Sequence, residues 1–199
     1  MAIKVDVFRE SGLDKIWKCV LSDDLSLSWA VKNMGRKVAY VPACLVSSFD
    51  ETDWKRLFEF GRRQFLITRV SAFKTWCFGL LVNIYSAVGF WGCGILAGVL
   101  YLRGNELWKF SGLIFLVFWS GQILRSVLRE VMAYKLLSDA RGQMQVSMVT
   151  DVLLGEVWTL LMIVIILISG FGRGITWRGI SYKLVGPTET VVVGNKSGK

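Results

Sequence analysis

The side chains best suited to chemistry in this sequence are two adjacent carboxylates, Asp23 and Asp24, and a polar triplet about forty residues later, Arg62, Arg63 and Gln64. A carboxylate at a loop–helix junction can take a proton from an attacking hydroxyl. Neighbouring guanidinium groups can hold a diphosphate leaving group and offset the charge that develops on it. Plainer roles are open to both: an acidic pair after a serine caps a helix, and paired arginines before a membrane span bind lipid phosphate. Histidine is absent. That removes imidazole metal ligands, histidine bases and the serine–histidine triad, so acid–base chemistry falls to a carboxylate.

The elements that would position these groups lie in the first 75 residues, which read as part of a mixed α/β domain. Ser22 with Asp23 and Asp24 opens a helix whose apolar positions Leu25, Leu27, Ala30, Val31 and Met34 run to Gly35, a natural stop. Lys37 to Val46 follows as a strand, in which Pro42 lacks an amide donor and so implies an edge position or a break. Asp50, Glu51 and Asp53 read as solvated or helix-start charges. Thr52 to Lys74 is predicted as an amphiphilic helix along the membrane surface, with Trp54, Leu57, Phe58, Phe65 and Leu66 apolar and basic residues between. One or two short strands and two helices offer too little core to stand alone without packing on a partner or the membrane.

Beyond residue 75 the composition changes. Hydrophobic residues make up 53% of the 199, and the excess sits in the second half. Trp76 to Leu102 carries no charge and exceeds the roughly 20 residues needed to cross a bilayer. Leu107 to Leu124 and Val152 to Phe171 are predicted as second and third spans, the latter interrupted only by Glu156 near its start. The expected organisation is therefore 1–75, a transmembrane region 76–171 (76–102, 107–124 and 152–171), and a basic tail 172–199. Arg62, Arg63, Arg69 and Lys74 precede the first span, and Arg125, Arg129, Lys135 and Arg141 follow the second. The positive-inside rule then makes the protein multi-pass with its N-terminal segment facing the cytoplasm. A full third crossing puts the tail outside, where Arg173, Arg178 and Lys183 run against that rule. The first residues lack the apolar core of a signal peptide, so insertion is expected to depend on the later helices. Cys19, Cys44, Cys77 and Cys93 include no CxxC pair and read as reduced packing residues.

The run Ser22-Asp23-Asp24-Leu25-Ser26-Leu27, then Gly35, Val41-Pro42, and Phe58 to Arg69 resembles, in order and spacing, the C-terminal part of the family 2 glycosyltransferases related to ceramide glucosyltransferase. That resemblance implies a GT-A type domain followed by an α-helical transmembrane bundle. It also implies that Asp24, the second acid of the pair, is the catalytic base beside Asp23. The arginine of the family's (Q/R)xxRW motif falls on Arg63, with Phe60 at the motif's first position and Gln64 in place of its tryptophan. Ile175 to Tyr182 is similar to a Trp-Arg-Gly-x-x-Tyr segment after the last membrane helix of bacterial members; Trp177, Arg178 and Tyr182 equally suit an interface anchor. Residues 1–10 resemble a strand and helix that precede the base.

The resemblance covers nearly the whole chain but only the later half of the family pattern. It implies transfer of a sugar, with inversion, from a nucleotide-sugar donor to a membrane lipid acceptor, with Arg62, Arg63 and Gln64 contacting substrate. The divalent cation, Mg or Mn, expected for the complete enzyme would be held with the donor by a nucleotide-binding half whose DxD site is not among these residues. These residues alone are expected to be inactive. The other reading is a non-catalytic membrane anchor or assembly subunit, or an inactive remnant of such an enzyme. A transporter is disfavoured by spans almost free of ionisable residues, and nucleic acid by arginines that cluster beside the membrane.

Overall fold

The computed structural model of the protein describes residues 2–44, 52–137, 141–177 and 179–195. It is mostly helical, with one small sheet, and divides into two compact units. One combines Met1–Cys44, Thr52–Cys77 and Ile165–Lys199, and the other is built on Phe78–Val164.

In the first unit, α1 (Val5–Glu10), α2 (Leu13–Ile16) and α3 (Asp23–Asn33) close around Val7, Leu13, Leu27, Ala30 and Val31. Gly12 and Gly35 take the left-handed backbone that starts α2 and ends α3. α4 (Trp54–Ser71) is capped by Asp53, whose carboxylate accepts the amide of Arg56 at 2.7 Å. After a break at Ala72 the chain re-enters helix as α5 (Phe73–Ala87).

The tail is an antiparallel meander of β1 (Gly174–Trp177), β2 (Ile180–Gly186) and β3 (Glu189–Asn195). Trp177 pairs with Ile180 and Gly186 with Glu189, so both turns are two residues long, and Gly179 supplies the positive φ needed in the first. Ile175 and Leu184 on the inner face pack with Leu66 and Ile67 of α4, joined by Leu21, Leu25 and Val70. A Cβ at Gly61 would lie 2.9 Å from the side chain of buried Ile165, so glycine permits that contact.

These elements depart from the expectations in three places. No strand is formed over residues 37–44; residues 37–41 take no regular secondary structure, a 3-10 turn follows at Pro42–Cys44, and residues 45 and 46 lie outside the described residues. Proline, with no amide to donate, starts that turn where a strand would have continued. Residues 5–10 are helical, and no strand precedes Asp24 among the described residues. The strands lie instead in the tail. Cys19 and Cys44 are exposed rather than packed.

In the second unit, α5 passes through a π-helical turn at Val88–Gly92 into α6 (Cys93–Leu102), followed by α7 (Trp108–Leu136) and α8 (Arg141–Ser169). Three helical stretches, Phe73–Leu102, Trp108–Leu136 and Val146–Ser169, are long and apolar enough to cross a membrane. α7 runs well past residue 124, and the third stretch starts earlier than 152 and stops at Ser169. Glycines allow close approach here: a Cβ at Gly89 would clash with the Phe118 ring, and one at Gly155 with the Gln122 amide.

Candidate functional site

Asp23 and Asp24 form the first turn of α3, and both are exposed. Ser22 stands at the cap position, but its hydroxyl caps no amide; it donates to Asp24 Oδ1 at 2.5 Å. The same oxygen accepts the Leu25 amide at 2.9 Å, and Asp23 Oδ1 accepts the Asp24 amide at 3.1 Å. The Asp24 carboxylate is thus oriented through one oxygen and presents the other to solvent. Below it, Ser26 donates to the carbonyls of Ser22 and Asp23 at 2.8 and 2.9 Å and accepts the Trp17 indole N–H at 3.2 Å. This turn is therefore held rigidly from beneath.

Leu25 follows Asp24 directly and packs into the cluster of Leu66 and Ile67, one turn beyond Arg62 and Arg63. The fold brings the acidic helix start and the basic helix onto one apolar cluster.

The arginines themselves are engaged. Arg62 donates from Nη1 to the Gly174 carbonyl at 3.1 Å and from Nη2 to that of Phe171 at 3.2 Å. The Arg63 guanidinium lies 5.5 Å from the centroid of the Phe60 ring and 5.7 Å from that of Trp177. Gln64 is exposed, and its carbonyl accepts the Thr68 hydroxyl at 2.9 Å. Of the expected substrate contacts, two tie the tail sheet to α4 and the third faces solvent. Arg178 lies outside the described residues.

No family model, curated protein or solved structure matches this chain. The chemistry of the site therefore rests on its own residues.

Among the described residues no three His, Cys, Asp or Glu side chains gather as a metal-ligand set. Asp23 and Asp24, two exposed carboxylates in one helix turn, do not by themselves make a divalent-cation site.

A cationic group missed by the sequence reading lies on the other flank of α4. Arg69 bonds the carbonyls of Gly170 and Gly172, and with Arg173 and Lys183 it lines a cleft of about 740 Å³. Burial, then the charges of Arg173 and Arg62, push the Arg69 guanidinium below its ordinary pKa. A signal was present: from residue 157 to 188 the sequence has no Asp or Glu to neutralise Arg173 and Lys183.

Proposed function

We propose that this chain is the acceptor-side, membrane-bound part of an inverting glycosyltransferase. It moves a sugar from a nucleotide-sugar donor to a lipid hydroxyl at the cytoplasmic face, with Asp24 as general base. The observation that carries this reading is the shared cluster of Leu25, Leu66 and Ile67, which draws the oriented Asp24 carboxylate to the basic helix just ahead of the first long apolar helix. A lipid hydroxyl presented there can lose its proton to the solvent-facing oxygen of Asp24 as its own oxygen attacks the anomeric carbon. The nucleotide diphosphate leaves with the electron pair of the broken bond. In this reading the donor and its cation are held by a GT-A type nucleotide-binding half outside these 199 residues.

The tail and α4 belong to one unit, and the Trp76 indole donates to the Ser169 hydroxyl at 2.9 Å, which supports a reading with both segments at one membrane face. In that reading Arg173 and Lys183 join the basic residues that precede the first span, in keeping with the positive-inside rule.

The anchoring reading draws its support from Arg62 and Arg63, whose guanidinium groups tie α4 to the tail through backbone carbonyls and the Trp177 ring. Sugar transfer from radiolabelled nucleotide sugars to membrane lipid extracts separates the two. The chain joined to the sequence encoded upstream of it is expected to label lipid, and the chain alone is not. A joined form inactive with every donor overturns the enzymatic reading in favour of the anchor.

A further inference from the structure

We propose that the cleft lined by Arg69, Arg173 and Lys183 binds the phosphate of an anionic membrane lipid, holding that headgroup at the junction of α4 and the tail sheet. This site is separate from Asp24 and does not depend on sugar transfer.

The first support is charge. Three cations line one cleft whose other walls are Val70, Phe73, Gly172, Val185, Gly186 and Pro187, with no carboxylate among them. Arg69 and Arg173 are fixed by backbone carbonyls, Arg173 Nη1 donating to that of Val185 at 3.1 Å. Carbonyls orient a guanidinium without cancelling its charge. None of the three forms an ion pair among the described residues. Their mutual repulsion, felt by Arg69 from Arg173, is a cost that a bound anion removes.

The second support is depth. Phe73 is the first residue of the first long apolar helix, and Gly172 follows the end of the last at Ser169 by three positions. Trp76, whose ring stacks on Phe73 at 5.9 Å, is bonded to Ser169 at that same level. Indole rings and basic side chains at the ends of apolar helices mark the headgroup layer. A phosphate at this depth belongs to a lipid, and the apolar walls formed by Val70, Phe73, Val185 and Pro187 suit its glycerol and upper acyl carbons. The volume is ample for a headgroup.

The test uses the full chain in phosphatidylcholine vesicles and reads energy transfer from its tryptophans to pyrene-labelled phosphatidylglycerol or pyrene-labelled phosphatidylcholine. Preferential association of phosphatidylglycerol is expected. Lys183→Gln should weaken it about fivefold, and Arg173→Gln with Lys183→Gln about 25-fold. Arg103→Gln with Lys109→Gln, which removes two charges elsewhere, should leave it unchanged. Lys183 is exposed, so the single variant keeps the test valid if the double variant fails to fold. Equal association of the two lipids, or loss in the Arg103 and Lys109 control to the same degree, overturns the site. Displacement of the labelled lipid by millimolar inorganic phosphate as readily as by unlabelled phosphatidylglycerol overturns the lipid as its occupant.

Discussion

The two units of this protein are built inside out with respect to each other. In the unit that contains α4 and the tail, the buried side chains are apolar, among them Leu13, Leu66, Ile67, Ile175 and Leu184, and the cations lie at the surface. In the helical unit, apolar side chains such as Ile95, Leu116 and Leu153 are exposed, and the buried ones include Ser111, Gln122, Ser126, Glu156 and Thr159. Water drives the first arrangement by the hydrophobic effect. A lipid solvent gives no such drive between helices, so small residues, ring packing and polar contacts must hold them. Ser111 donating to the Cys93 carbonyl at 2.8 Å and Arg129 pairing with Asp151 are contacts of that kind.

This contrast can be broken at chosen positions. The largest effect is expected from Leu66→Ala, which opens a cavity in the fully buried cluster beneath α3, α4 and the sheet. It should cost about 2–5 kcal/mol, read as a drop in the detergent-solubilised protein's thermal midpoint. The same truncation at exposed Leu116 should leave that midpoint nearly unmoved. Leu116→Arg, by contrast, should oppose membrane insertion by about 2.5–3.5 kcal/mol, read as a loss of carbonate-resistant protein from membranes. If Leu116→Arg inserts as well as the parent, α7 does not face lipid there. Gly61→Val sharpens the comparison within the water-facing unit. Its new side chain meets Ile165, and a cost of about 1–3 kcal/mol is expected, with faster proteolysis of the tail sheet as the readout. The smallest effect is expected from Glu156→Gln. Both carboxylate oxygens are buried without a hydrogen-bond partner among the described residues, so replacing the charge should be neutral or stabilising by about 1 kcal/mol. Marked destabilisation would show that the charge itself holds the helices.

The long apolar helices were legible because uncharged length is a property of composition. The helix opening at Asp23 and closing at Gly35 was legible for a similar reason, its apolar spacing being local. Ser22 shows where local reading stops: the residue type suits a cap, yet its hydroxyl prefers the charged oxygen of Asp24. The strand expected around Pro42 fails because β structure needs a partner, and none pairs with residues 37–41 among the described residues. The tail sheet was missed although its signals were there, with Ile175 and Trp177, then Ile180, Tyr182 and Leu184 alternating along the strands, and Gly179 and Pro187-Thr188 at the two turns. Read as an interfacial anchor, those residues hid their period of two. The roles of Arg62 and Arg69 were illegible for a different reason. Their partners, the carbonyls of residues 170–174, lie about a hundred positions away, and no backbone acceptor carries a sequence signal.

Asp24 remains the residue on which the catalytic account turns. The most direct measurement of the proposed function is the turnover of lipid glycosylation by the chain joined to the sequence encoded upstream of it, for the parent, Asp24→Asn and Asp23→Asn. Loss of a general base should lower kcat about 10²–10⁴-fold in Asp24→Asn with little change in the donor KM, and Asp23→Asn should lose much less. Turnover in Asp24→Asn within about twofold of the parent would contradict the assignment and leave the acidic pair as the well-anchored start of a helix.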